Sequence, residues 1–363
     1  MAGPWGRSRH RLGLGACAAL VILMQVATAL TETRYYLTQL TMGAYYCLVV
    51  LGLCLLMGYA GQISLGHAGF FAIGGYTTAV ITTLNLADQA GRFPVSVLLQ
   101  VGLAARATDL YGGSVVRLSP WLALMAAVLL ALGVAYLIGT PVLRLRGHYL
   151  AMATLGFGTI IYRIVLGTGA FGEADGISDV PAFPLFPGLE ISGRAPVRIA
   201  NYYFAWGLVL ALMVLFLNLV HSRLGRALRA VHSNEEAADA MGVDTARLKL
   251  RLFVISAVCA AVGGVFLTHY NGGIGPSEAG VMKSVRYVAI VAVGGMANLW
   301  GALAWGTLLS FLSLRGVFGS FDDAVFGGIL VGVMLFAPEG LGRSGAGARA
   351  VDFLRRKLGD AAA

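Results

Sequence analysis

The stretch GYAGQISLGHAGFF, residues 58–71, interrupts two long apolar runs at residues 35–57 and 68–86. Each run has the roughly 20 residues that a helix needs to cross about 30 Å of hydrocarbon. The four glycines of the stretch weaken a continuous helix by about 1 kcal/mol each relative to alanine. Gln62, Ser64 and His67 add polar groups at the same place. The sequence therefore predicts two membrane helices joined by a glycine-rich break.

The composition of the whole chain also indicates a protein that is embedded in a lipid bilayer. Of its 363 residues, 58% are hydrophobic and 12% are charged, whereas soluble domains carry about 25% charged residues. Apolar windows of spanning length recur from end to end, and they are not the alternating short segments of a membrane barrel. We predict an all-α polytopic membrane protein with ten transmembrane helices. The windows are residues 12–30, 35–57, 68–86, 119–143, 147–167, 200–220, 252–270, 284–299, 301–316 and 322–338.

Basic residues predict the orientation, because cytoplasmic segments of membrane proteins are enriched in lysine and arginine. With ten spans, four basic clusters fall on one side, so that both termini are cytoplasmic and the segments 87–118 and 168–199 face outward. The chain then divides into a cytoplasmic N-terminus (1–11), a transmembrane domain (12–338) and a cytoplasmic tail (339–363). The net charge of +9 is a topology signal in this interpretation, and nucleic acid is not an expected partner. The clusters are Arg7, Arg9 and Arg11; Arg144 and Arg146; Arg223, Arg226, Arg229, Arg247, Lys249 and Arg251; and Arg343, Arg349, Arg355, Arg356 and Lys357.

The first window allows two interpretations, a retained helix or a signal peptide that ends near Ala29. Its length favours the retained helix, and its removal would leave the later topology unchanged. The four cysteines lie inside apolar windows without metal-ligand spacing, so we expect no metal site. They are Cys17, Cys47, Cys54 and Cys259.

Residues 222–251 form the longest predicted cytoplasmic connection and contain a short helix with both ends marked. Ser233, with Glu236 three residues later, has the spacing of a capping box at a helix start. Gly242 is placed to end the helix in the left-handed conformation. A helix of about two turns is not stable alone in water. It must lie on the protein's own surface or dock into a partner, and the residues alone leave both open.

The same short helix is expected to carry a small apolar face made by Ala237, Ala238 and Met241. Small side chains on such a face would permit the close approach of a partner. The acidic residues Glu235, Glu236 and Asp239 are expected to point elsewhere.

Three sequence motifs carry a resemblance to a known family. The run EAADAMG, residues 236–242, is similar to the E-A-A-x-x-x-G motif of ABC-importer membrane subunits, whose coupling helix contacts the ATPase. GYAGQISLGHAGFFAIGGY (58–76) and RLRGHYLAMATLGFG (144–158) resemble signatures of the branched-chain amino-acid permease family, specifically its high-affinity M-type subunit. The likeness covers most of residues 40–310, in the order that the family has them.

The resemblance implies a permease subunit of an ATP-driven importer in the bacterial inner membrane, for branched-chain amino acids or a similar small polar solute. It implies three kinds of partner: a second homologous permease subunit, two cytoplasmic ATPase subunits and an extracellular or periplasmic solute-binding protein. None of the three lysines follows a glycine as a Walker A loop requires. We therefore expect ATP and Mg²⁺ to be used by the partner subunits, with no cofactor and no enzyme activity in this chain. The expected ATPase-coupling residues are Ser233, Glu235, Glu236, Ala237, Ala238, Met241 and Gly242, supported by Arg226 and Arg229.

The glycine-rich break is the candidate pathway or gate. A broken membrane helix is tolerated where its backbone is buried in protein or faces water, and transporters place such breaks around the solute. Close helix packing is the alternative use of the same small residues. A similar but weaker glycine-rich stretch, GGMANLWG at 294–301, suggests that the chain consists of two related halves. The candidate residues are Gly61, Gln62, Ser64, Gly66, His67 and Asn298.

Other functions have less support from the residues. Close relatives that carry urea or short amides are a neighbouring possibility, and nothing in the sequence discriminates among these solutes. An ion-coupled transporter or channel would need acidic groups inside its spans; Glu32, Asp322 and Asp323 lie only at span edges. A membrane enzyme would need a convergent catalytic constellation, and the sequence has none that we recognise.

Overall fold

The computed structural model describes residues 4–87, 103–108, 114–145, 147–186 and 188–336, and it is dominated by helices. Within these residues there are twelve α-helices, which we number in chain order. They are α1 Pro4–Leu30, α2 Tyr36–Ala60, α3 His67–Thr83, α4 Pro120–Val142, α5 His148–Gly167, α6 Arg198–His221, α7 Arg223–Ser233, α8 Glu235–Ala240, α9 Thr245–Asn271, α10 Val281–Gly294, α11 Leu299–Leu314 and α12 Asp322–Phe336.

Each of the ten predicted windows coincides with one helix, from α1 to α6 and from α9 to α12. Six helices of the described part are long and apolar enough to cross a membrane: α1, α2, α4, α5, α6 and α9. The other four are shorter, with 17 residues in α3, 14 in α10, 16 in α11 and 15 in α12. The all-α membrane fold is therefore confirmed, while the number of complete crossings stays a prediction.

Helix α2 is the centre of the molecule. Nearly all of its residues are buried, and it packs against α6, α9, α10 and α11. A helix that is apolar on every side belongs in the interior, where all its faces meet other helices. The remaining helices surround this axis and fix the position of the glycine-rich break at its end.

Helix α4 shows how the outer helices divide their faces. Every fourth residue from Ala123 to Ala135 is a buried alanine, and Gly139 continues the row against Leu250 and Phe253 of α9. Small residues at this spacing let two helices approach closely in lipid. The opposite face exposes large apolar side chains such as Met125 and Leu137.

Two β-hairpins lie in the segments predicted to face outward, where the sequence predicts no strands. Strands β1 (Ala104–Thr108) and β2 (Ser114–Leu118) pair antiparallel, with Ala104 opposite Leu118. Strands β3 (Phe183–Phe186) and β4 (Leu189–Ile191) form the second hairpin. The missed signal was alternation over only a few residues in segments that hydropathy marks simply as loops.

The predicted ends of the chain are only partly described. Helix α1 begins at Pro4, so the predicted N-terminal segment 1–11 is helical where the structure describes it. The predicted tail 339–363 and the basic residue Arg146 lie outside the described residues.

Candidate coupling surface and pathway

The short cytoplasmic helix exists as predicted, but the residue that caps it is different. Helix α8 begins after Asn234, whose side-chain oxygen accepts a hydrogen bond of 3.0 Å from the backbone N–H of Ala237. Ser233 instead ends α7, and its hydroxyl donates to the carbonyl oxygen of Arg229 at 2.9 Å. The predicted capping box from Ser233 to Glu236 is therefore wrong. Asn is as good an N-cap as Ser, and a one-residue shift moved the helix start.

The predicted end of α8 is confirmed at Gly242, whose φ is +82°. The N–H of Gly242 bonds to the carbonyl of Asp239, and the N–H of Val243 bonds to that of Ala238. These two bonds form a Schellman motif, which needs a left-handed residue that glycine supplies without a Cβ penalty.

The predicted apolar face of α8 is wrong in its membership. Ala238 is buried, whereas Ala237 and Met241 are exposed and share the outer side of the helix with Glu236. The three residues were assigned to one face, but Ala238 lies about 100° around the helix from Ala237. Arg226 and Arg229 are exposed on the neighbouring α7, whose own apolar side is buried. The exposed side of α8 around Met241 is therefore made by Glu236, Ala237, Met241 and Gly242, and its contact with a partner stays a prediction.

An ion pair missed by the sequence analysis fixes α8 to α9. The Lys249 ammonium contacts the Glu235 carboxylate, with the lysine side chain 11% and the glutamate side chain 28% exposed. Asp239 adds a second tie, accepting a 2.9 Å hydrogen bond from the Thr245 hydroxyl. The basic-residue pattern predicts Lys249 only as a topology residue. Its position four residues into a helix rich in buried apolar groups is the sequence signal for a paired, buried lysine. The predicted ATPase contact of Glu235 stays a prediction, and the observed partner of its carboxylate is internal.

We expect the Asn234→Ala variant to loosen α8 by about 1 kcal/mol, because it removes the observed cap. Ser233→Ala is the matched control and should change stability by a few tenths of a kcal/mol, since its hydroxyl bonds within α7. Hydrogen–deuterium exchange of residues 235–241 measures the difference. Equal exchange in the two variants would contradict the assignment of the cap.

The break between α2 and α3 is compact and mostly enclosed. Gly61 ends α2 in the left-handed conformation, and Gly66 precedes α3 with its backbone packed against Thr154 of α5. Gln62 is buried, and neither its amide oxygen nor its amide nitrogen has a hydrogen-bond partner among the described residues. The same residue was predicted in the pathway, and an unpaired buried amide is a group that a polar solute or water would satisfy.

Ser64 and His67 belong to a fully buried hydrogen-bond chain. The Ser64 hydroxyl lies 3.0 Å from Nδ1 of His67, and Nε2 of the same ring lies 2.7 Å from the hydroxyl of Ser256 on α9. Phe70 and Phe253 meet the imidazole edge-to-face. These two hydrogen bonds give His67 a structural role between α3 and α9, while a part for these residues in solute passage stays a prediction.

The start of α3 is tied to two further helices. The hydroxyl of Thr154 on α5 accepts a hydrogen bond from the N–H of Leu65, and the hydroxyl of Ser284 on α10 accepts one from the N–H of Ala68. The N–H of Ala68 in the first turn of α3 is therefore already occupied by Ser284. Helices α3, α5, α9 and α10 all meet at the break.

Asn298 lies at the second glycine-rich stretch, and the two stretches touch. The Asn298 side chain caps α11 by accepting from the N–H of Gly301, at 3.2 Å. Gly58 packs directly on the backbone of Met296, and the Tyr59 hydroxyl donates to the carbonyl of Ala297 at 2.9 Å. The two glycine-rich stretches, which are similar in sequence, are therefore in direct contact. Their origin in two related halves of the chain stays a prediction.

The described residues hold no group of three His, Cys, Asp or Glu side chains suited to a metal ion. All four cysteines are free, at Cys17, Cys47, Cys54 and Cys259.

The apolar helical fold, the broken helix at its centre and the capped helix outside it define a membrane permease. The sequence profile described as "Branched-chain amino acid transport system / permease component" matches residues 35–337. The chain belongs to that family.

Individual relatives agree with the family match. The chain is 30% identical over 342 residues to the high-affinity branched-chain amino acid transport system permease protein LivM of Escherichia coli (strain K12), covering 88% of this chain and 73% of that protein. It is 28% identical to the corresponding protein BraD of Pseudomonas aeruginosa, covering 85% and 96%. It is 26% identical to LivH of Escherichia coli (strain K12), covering 85% and 95%. No solved structure matches the chain.

Proposed function

We propose that this chain is the translocation subunit of an ATP-driven importer of branched-chain amino acids, driven by ATPase subunits on other chains. The observation that carries the proposal is α8: a two-turn helix capped at both ends, tied to α9 by the Lys249–Glu235 ion pair, with its Glu236–Met241 side exposed. Such a helix has no stability of its own. Its fixed exposed face suits a docking element that transmits force to the membrane helices.

The partners follow from the same interpretation. The chain has no Gly-Lys-Ser/Thr loop for nucleotide, so two ATPase subunits would supply ATP hydrolysis at α8. A second permease would complete the pore, and an extracellular or periplasmic binding protein would deliver the solute. The names of the relatives, which are branched-chain amino acid permeases, support this solute class.

The orientation places α7 and α8 in the bacterial cytoplasm. Three basic residues between α6 and α9 and three more in the first two turns of α9 support this side, because the positive-inside bias acts on short connections next to spans. Both termini would then be cytoplasmic, and the two hairpins would lie on the outer side of the inner membrane.

Purification of the chain from its native membrane in mild detergent tests the assembly. We expect a second permease and two ATPases to co-purify, and the reconstituted complex with its binding protein to accumulate leucine only with ATP. A chain that purifies alone and carries solute into liposomes without ATP would contradict the proposal.

The exposed side of α8 gives a sharper test. We expect Met241→Asp to weaken ATPase-subunit binding about tenfold, since a buried charge without a partner costs more than 1 kcal/mol at an interface. Leu145→Asp, at an exposed apolar residue of the connection between α4 and α5, is the control for a new charge on the same side of the protein. Co-purification yield of the ATPase measures both; equal yields would remove α8 from the interface.

A further inference from the structure

Five charged side chains and two tyrosines gather around the first turn of α10, outside every site considered so far. Lys283 and Arg286 lie one turn apart on α10. Glu278 belongs to the short 3₁₀ turn before this helix, and Asp322 and Asp323 begin α12. The tyrosines are Tyr46 and Tyr287.

These side chains form two neighbouring groups of ion pairs, one at Lys283 and one at Arg286. The Lys283 ammonium contacts the Glu278 carboxylate at 2.8 Å, and the Tyr46 hydroxyl donates to the same carboxylate oxygen at 3.0 Å. The Arg286 guanidinium contacts Asp322 at 2.6 Å and Asp323 at 2.9 Å. Both cations also lie over aromatic rings, Lys283 over Tyr46 and Arg286 over Phe326.

The proposed orientation puts the cluster at membrane depth. Helix α10 has 14 residues and ends at Gly294, beside the proposed cytoplasmic end of α2. At 1.5 Å per residue it spans about 21 Å, which is less than the hydrocarbon thickness of about 30 Å. Its first turn therefore starts below the outer surface. The Lys283 and Arg286 side chains are only 20% and 17% exposed.

Stability alone does not account for this arrangement. A buried ion pair costs so much desolvation that apolar residues of similar volume are often as stable or more stable. Ionisable groups inside a membrane face the protein interior or a water-filled cavity and mark solute or ion routes. Two adjacent buried ion pairs are not needed to pack these helices, and we therefore interpret them as part of a solute route.

Several polar atoms of the cluster have no partner among the described residues, although they are buried. They belong to two carboxylates, one guanidinium and one tyrosine hydroxyl. The atoms are Oε2 of Glu278, Nε of Arg286, Oδ1 of Asp322 and the hydroxyl of Tyr287. Tyr287 is 2% exposed, and it lines a cavity of 20 Å³ together with Lys283 and Arg286. That volume holds about one water molecule, so the cavity is closed to a larger solute in this conformation.

We propose that this cluster binds the charged head of a zwitterionic α-amino acid in the outer half of the pathway. Lys283 and Arg286 would receive the carboxylate, and Glu278 and Asp322 would receive the ammonium group. The solute would replace one ion pair by two, so the cost of separating the paired side chains is offset. Ile290 and Leu314, which line the same cavity, would face the apolar side chain of the solute.

This inference rests on the proposed function and assigns a solute site to it. Urea and short amides have no separated charges, so they would leave both ion pairs without a role. An amino acid carries one group for each member of a pair. The cluster therefore favours the amino-acid substrate over the uncharged amides that the sequence left open.

The test uses the whole transporter with its binding protein in proteoliposomes. We expect the double variant Lys283→Met/Glu278→Gln, which removes a pair without leaving one charge alone, to lower leucine uptake about tenfold, the loss of one charged hydrogen bond. Glu32→Gln/Arg34→Met removes the same two charges from the exposed α1–α2 connection and should change uptake less than about twofold. Wild-type uptake must first be present and ATP-dependent; its absence refutes the proposed function. Normal uptake by the double variant refutes only the inference.

A labelling measurement remains decisive if the double variant fails to assemble. Ser310 lines the cavity and is buried, so Ser310→Cys reports access to it in an otherwise natural transporter. During ATP turnover, millimolar leucine should slow thiol labelling at this position, and urea at the same concentration should not. Labelling that ignores leucine, or that urea slows equally, overturns the proposal.

Discussion

In the Glu235→Gln variant, ATP-driven uptake should fall about tenfold, and the thermal midpoint of unfolding should drop. The substitution leaves the Lys249 ammonium, 11% exposed, without a counter-charge. Breaking a buried pair on one side costs about 3–5 kcal/mol, and we expect the lower end because Glu235 keeps some contact with water. Uptake in proteoliposomes and unfolding in detergent measure the two effects.

The functional part of this expectation comes from the position of Lys249 on α9. Ser256 lies seven residues further along, two turns on the same side of the helix. Its hydroxyl contacts His67 at the first residue of α3, 2.7 Å from the ring. The ion pair therefore fixes the docking helix to the same face of α9 that holds the break, and α9 can carry a displacement of α8 to that point.

The double variant Glu235→Gln/Lys249→Met separates coupling from stability. Removing both partners of a buried pair is often neutral, so the unfolding midpoint should return close to the natural value while uptake stays low. Arg247→Ala, which removes an exposed pair with Asp244 at 3.0 Å, is the control and should cost between about 0 and 1 kcal/mol. Full uptake by the double variant would reduce the ion pair to a structural role.

The sequence predicted the helices well because a membrane span is a long local signal. Ten apolar windows coincide with ten helices, and the stop of α8 at Gly242 follows from one residue type. The start of α8 failed by one residue, since Ser233 and Asn234 are both good caps and only the tertiary structure chooses between them. The prediction of which residues share a face of this short helix is also wrong, because Ala238 is buried and Ala237 is exposed.

Contacts between distant residues were beyond the sequence. Glu278 and Lys283 are close in the chain, but Tyr46 reaches their pair from α2, and Asp322 reaches Arg286 from α12. Hydropathy averages such isolated charges away within an apolar window. The sequence predicts only that Asp322 is an acidic residue at the edge of a span. Its partner lies 36 positions earlier, and nothing in the local pattern connects the two.

The close approach of the two glycine-rich stretches is the other contact that only the structure shows, and it predicts the largest effect of a single methyl group. A Cβ at Gly58 would overlap the backbone carbonyl of Met296. Backbone cannot rotate away as a side chain can, so Gly58→Ala must separate α2 from the 295–298 turn. We expect a loss of about 3 kcal/mol, the upper range for overpacking of a core, seen as a lower unfolding midpoint.

Gly133→Ala is the matched control for that substitution, because its Cβ would meet no atom within 4 Å. There, alanine should be neutral or should stabilise α4 by about 1 kcal/mol through helix propensity. Gly58→Ala should also reduce uptake, since the Tyr59–Ala297 hydrogen bond of 2.9 Å crosses the same contact and would be stretched with it. If both variants unfold at the natural midpoint, the two stretches do not pack as closely as the structure places them, and the break at residues 61–66 loses its fixed support.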